Sequence, residues 1–181
     1  MIGERKTNNE IIVKYPKDWE TEYKSTGFVS QWRCDYKNMF KDYPARTGKE
    51  CGTMQLFAQY ALIYLLWKQY SIHSLTWYKI ADISPRSKNR ERTDRYWTIM
   101  KKWMGESHFL RLQKYIINKG FKTIKGEPDL FCWNPKSGEW FFAEAKRKDG
   151  LTPYFRRWAE ICRTTLGDSA DIRVYRLIAE K

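Results

Sequence analysis

Gly126-Glu127-Pro128-Asp129-Leu130-Phe131-Cys132-Trp133, a turn, and then Trp140-Phe141-Phe142-Ala143-Glu144-Ala145-Lys146 is the stretch on which the chain's fold turns. Leu130 to Trp133 is a first apolar run of strand length, and Asn134-Pro135-Lys136-Ser137-Gly138 carries the residues of a chain reversal. Trp140 to Ala143 is nearly continuous apolar, as expected of a strand buried on both faces. Side chains two apart on a strand share a face, so Glu144 and Lys146 are predicted to project together. Asp129, behind a proline at the start of the partner strand, is predicted to lie opposite them.

An Asp, a Glu and a Lys at one end of an aromatic hairpin define a particular chemistry. Two carboxylates offer hard oxygens to Mg2+ or Mn2+. Such a metal polarises a phosphoryl oxygen and acidifies a water, while a lysine orients that water or offsets developing charge. A purely structural reading makes Glu144 and Lys146 an ion pair at a strand end and Pro128-Asp129 a turn before a strand. Three ionisable groups gathered at the end of one hairpin favour the catalytic reading.

Pro128-Asp129 followed by Glu144-Ala145-Lys146 resembles the PD-(D/E)xK nuclease signature. With the apolar flanks, Leu151-Thr152 and Trp158 a helical distance on, residues 121–178 are similar to the VRR-NUC branch, the virus-type replication-repair nuclease domain. The resemblance implies an α/β restriction-endonuclease-like core, a central mixed sheet flanked by helices, here with a helical insertion at about 90–119 and an N-terminal extension at 1–48. Residues 49–181 are then a single nuclease domain. It implies Mg2+ or Mn2+ held by Asp129, Glu144 and the Ala145 carbonyl, with Lys146 positioning water. Family members commonly add a glutamate near the start of the first core helix; Glu50 is that candidate, with helix capping as its structural alternative and Glu106 as its rival. Lys125, Arg147, Lys148, Arg156 and Arg157 surround the signature and are candidates for phosphate contacts. The implied partner is DNA, in flap or branched form during replication or repair, with a homodimer as one option and RNA left open. Two departures stand out: Phe155 replaces the usual glutamine three positions before the tryptophan, and Glu127, read as an exposed turn residue, replaces an apolar residue before Pro128.

Composition narrows the alternatives. The 181 residues suffice for one domain with a sizeable core and are marginal for two. Hydrophobics at 42% and aromatics at 17% belong to a globular chain, not a disordered one. A net charge of +13, from 34 Lys and Arg against 21 acids, favours a polyanionic partner, nucleic acid first and anionic membrane second. Charge alone does not make an enzyme, so a non-catalytic nucleic-acid-binding protein on the same fold is the alternative. An interaction protein using its aromatic N-terminal arm is another. The dispersed Cys34, Cys51, Cys132 and Cys162 indicate neither zinc module nor disulfide framework and suit a reducing cytoplasm. The polar start of the chain lacks the apolar core of a signal peptide.

Along the rest of the chain, Ile11-Ile12-Val13 reads as a short strand. Trp19, Tyr23, Phe28, Trp32, Tyr36 and Phe40 read as inward-packed aromatics of broken helices, with base stacking the sharper alternative. The break at 47–53 precedes a buried helix predicted at about 53–69, too short for a bilayer crossing of about 20 residues. Residues 71–83 are predicted as a strand. Residues 84–92 form a basic loop, read either as solvated or as tracking a phosphate backbone. Residues 93–119 are predicted as two helices divided by Gly105, with Gly120 as the stop. Thr152 and Pro153 open a helix running to Gly167, and 172–178 alternates as a last strand.

Overall fold

The strongest local signal, the hairpin, is present at the predicted residues. In the computed structural model, which describes residues 6–7, 10–35, 56–76, 78–81, 90–119 and 126–181, β1 is Lys6–Thr7, β2 Glu10–Tyr15, β3 His73–Thr76, β4 Leu130–Trp133, β5 Trp140–Lys146 and β6 Ile172–Ala179. The helices are α1 (Asp18–Thr26), α2 (Ser30–Asp35), α3 (Phe57–Tyr70), α4 (Arg90–Met104), α5 (Glu106–Asn118) and α6 (Pro153–Leu166). The strand order is β1-β2-β6-β5-β4-β3, with β2 parallel to β6 and the other described ladders antiparallel. A mixed sheet with helices makes the fold α/β. The chain divides into two compact units, residues 1–70, 145–147 and 174–181 in one and 71–144 and 148–173 in the other.

The first unit is built around α3, whose residues from Phe57 to Leu66 are buried almost all round, Gln59 excepted. This is the helix predicted at about 53–69; residues 53–55 lie outside the described set. Trp32 is fully buried and meets Trp19 edge-on at 5.2 Å and stacks on Tyr64 at 6.2 Å. Trp19, Tyr23, Phe28 and Trp32 are therefore core residues, and base stacking is excluded for them; Tyr36 and Phe40 lie outside the described residues. The predicted strand at 11–13 is the centre of β2, paired with β6 from Glu10↔Val174 to Tyr15↔Ala179. A bidentate Arg176–Glu10 pair, with bonds of 2.9 and 2.7 Å, ties the two strands.

In the second unit, β3, β4 and β5 present Phe131 and Phe142 to a core completed by Met100, Phe109, Leu112, Ile116 and Trp158. Gly105, at φ 88°, separates α4 from α5 as predicted. Thr152 caps α6 by accepting from Phe155 N at 3.1 Å, and Pro153 occupies the first turn. The strand predicted over 71–83 is corrected: β3 stops at Thr76, and the chain turns at Ile80 and Ala81. The last ladder pair is Thr76↔Leu130. Beyond it, the Asp129 carbonyl accepts from the Thr76 hydroxyl and its N–H donates to Glu144, while Pro128 has no N–H to give. Pairing ends where side chains take over the backbone groups.

Candidate nuclease site

The β4–β5 register pairs Leu130 with Ala143 and Phe131 with Phe142. Continued by one residue, it sets Asp129 level with Glu144, and Asp129 N donates to Glu144 Oε2 at 3.2 Å. The expected opposition of these two residues is thus present. Along β5, Trp140, Phe142, Glu144 and Lys146 share one face by strand alternation. Glu144 and Lys146 are each only 7% exposed, unusual for such side chains. Ala145 lies between them on the same strand.

The chain before Asp129 is held on three sides. The Asp129 carbonyl accepts from Thr76 Oγ1 at 3.0 Å. Glu127, predicted as an exposed turn residue, is instead half-buried, its carboxylate accepting from Ile80 N at 3.0 Å. A chain turning at Ile80 presents a backbone N–H that needs a partner, and the Glu127 carboxylate supplies it. Gly126, at φ 97°, lies against the first turn of α6: a Cβ there would be 2.4 Å from the Tyr154 carbonyl carbon and 2.7 Å from Phe155 N. The motif glycine therefore serves close approach as well as positive φ. Phe155, where the family resemblance expects glutamine, is buried.

One residue escaped sequence reasoning. Tyr78 is 4% exposed, its ring stacked on Phe142 at 6.1 Å and edge-on to Phe131 at 6.5 Å. Its hydroxyl is buried without a hydrogen-bond partner among the described residues. Burial, with the negative charges of Glu127, Glu144 and Asp129, pushes the phenol well above its ordinary range, so it stays protonated as a donor. No motif marks it; read as one of several apolar residues in a long strand, it had no separate signal.

The basic candidates fare differently. Arg147 pairs with Glu20 at 2.6 Å and lies 5.3 Å from the Phe57 ring centre, both within the first unit. Lys148, Arg156 and Arg157 are exposed. Glu106 is 66% exposed in its side chain and pairs with Lys101 at 3.1 Å, which sets it apart from the buried carboxylates. Glu50, Lys125, Trp77, Gly120, the break at 47–53 and residues 84–89 lie outside the described residues; the rest of the loop predicted over 84–92 is corrected, since Arg90, Glu91 and Arg92 open α4.

As a donor set, the Asp129 and Glu144 carboxylates and a strand carbonyl are hard oxygens suited to Mg2+ or Mn2+. Among the described residues, no group of three or more His, Cys, Asp or Glu side chains gathers to hold a metal ion; the expected third carboxylate, Glu50, is not among them. The orphaned Tyr78 hydroxyl, under the influence of the same carboxylates, fits an oxygen-bearing ligand. No helix among the described residues is long and apolar enough to cross a membrane. Comparison with family models, curated proteins and solved structures gives no match.

Proposed function

We propose that this chain is a Mg2+- or Mn2+-dependent nuclease with a restriction-endonuclease-like core of the VRR-NUC kind, hydrolysing phosphodiester bonds in DNA, with flap or branched DNA the preferred substrate. The observation that carries the reading is the Asp129–Glu144 contact at the end of the hairpin, with buried Lys146 two residues further on the same strand face. Asp129 and Glu144 would hold the ion through carboxylate oxygens, and the Ala145 carbonyl would add a neutral one. The divalent ion, when bound, supplies Lewis-acid polarisation of the phosphoryl oxygen and a more acidic water. Lys146 would supply a positive charge to orient the attacking water and offset the developing phosphorane charge. Thr76 and Gly126 hold the Asp129 backbone, so the carboxylate needs little reorganisation. The excess of basic residues supports a polyanionic substrate.

The test is cleavage of labelled single-stranded, duplex, flap and four-way-junction DNA with Mg2+, Mn2+ or EDTA. Asp129→Ala and Lys146→Ala, each checked by circular dichroism, should lose metal-dependent cutting by about 100-fold or more. Wild-type protein that binds the panel and cuts nothing with either metal would replace this reading with a non-catalytic nucleic-acid-binding protein.

A further inference from the structure

The Tyr78 hydroxyl is a buried polar group with no hydrogen-bond partner among the described residues. A buried phenol without a partner forgoes its hydrogen bonds to water and receives none in exchange. Phenylalanine would supply the same ring packing on Phe131 and Phe142 without that cost. The location is informative. Phe131 and Phe142 belong to the strand face that continues to Asp129 on one strand and Glu144 on the other. The Tyr78 ring therefore packs on Phe131 and Phe142, the residues two after Asp129 and two before Glu144 on that face.

We propose that Tyr78 is a ligand-binding residue of this site, its hydroxyl donating to an oxygen, of water or of a phosphoryl group, held at the Asp129–Glu144 pair. The inference rests on the nuclease reading for its chemistry, but its physical content is narrower: the hydroxyl is satisfied only when the site is loaded. Several consequences separate it from a structural role. In the metal-free protein Tyr78→Phe should melt at the same temperature as wild type or higher, because only an unsatisfied group is removed. On loading, wild type gains a hydrogen bond that the variant cannot make.

Melting temperature is therefore measured for wild type and Tyr78→Phe in EDTA, with Mn2+ alone, and with Mn2+ plus thymidine 5′-monophosphate. Cleavage is followed in parallel on the best DNA substrate. The expected result is equal or higher stability of the variant in EDTA and a smaller loaded-state gain. Cleavage by the variant should fall about 10- to 100-fold, a range set by loss of a single donor to a reacting oxygen. A difference already present with Mn2+ alone assigns the acceptor as water; one that needs the nucleotide assigns a phosphoryl oxygen. Equal gains in the two proteins, no gain in either, or a variant markedly less stable in EDTA each overturn the proposal. A Tyr78-dependent gain in a protein that cuts nothing sinks the nuclease reading alone. Cutting by wild type with equal gains and equal rates in the variant sinks the Tyr78 proposal alone.

Discussion

Gly126 carries two demands on a single residue, a positive φ and a backbone approach that no side chain permits. Gly126→Ala must push the first turn of α6 away or twist the segment leading to Asp129, and neither neighbour is a flexible side chain that gives easily. The expected cost is about 2–4 kcal/mol, within the upper range for backbone strain and clash, read as a lower denaturation midpoint. A midpoint within error of wild type would mean that the α6 turn yields freely. The cysteines make a second residue-scale prediction. Burial pushes the Cys132 and Cys162 thiols up to about 12, whereas Cys34 is exposed. At pH 8, a thiol reagent followed by peptide mass spectrometry should therefore modify Cys34 in the native protein and reach Cys132 and Cys162 only after denaturation. Labelling of Cys132 at the Cys34 rate would contradict the packing of β4.

Among elements, the β2–β6 pair has a pH dependence of definite sign. Hydrogen bonds from Arg176, against a smaller opposing effect of burial, hold the Glu10 carboxyl below the usual carboxylate range. A depressed folded-state value gives stability that is complete above the unfolded value of about 4.3 and is lost as pH falls through the lowered one. Glu10→Gln should thus narrow the stability difference between pH 6 and pH 3, measured by urea denaturation; an unchanged difference would remove Glu10 from the acid transition. At the other end of the chain, Thr152→Ala should cost about 1 kcal/mol through loss of the α6 cap. The elements legible in the sequence are those whose causes are local. The 134–138 reversal, the Thr152-Pro153 start and the Gly105 break are each written in adjacent residues. The length of β3 was not legible, because it ends where Thr76 and Glu144 capture the backbone of Asp129, and those partners are distant in sequence. The Asp129, Glu144 and Lys146 pattern was readable from strand alternation; Tyr78 and the engagement of Arg147 by Glu20 were not, since both depend on tertiary neighbours.

Over the whole molecule, a charge of +13 makes any DNA affinity a function of salt. Lys148 and Arg156 are exposed and are among the sequence candidates for phosphate contacts. If both make such contacts, Lys148→Gln/Arg156→Gln should weaken binding across sequences alike and flatten the log–log salt dependence by roughly 0.9 per lost contact. An unchanged slope in fluorescence-anisotropy titrations would move the interface elsewhere. The β4–β5 turn has a practical consequence of another kind. Asn134 N bonds to Glu139 O at 2.8 Å, closing the strands, while residues 135–139 are exposed and a Cβ at Gly138 would meet nothing within 4 Å. This tip lies beyond Trp133, itself roughly 13 Å along the strand from Asp129 at about 3.4 Å per residue. An epitope or dye-bearing peptide spliced between Lys136 and Ser137 would protrude into open solvent, giving an attachment point from which single molecules can be tethered to a surface.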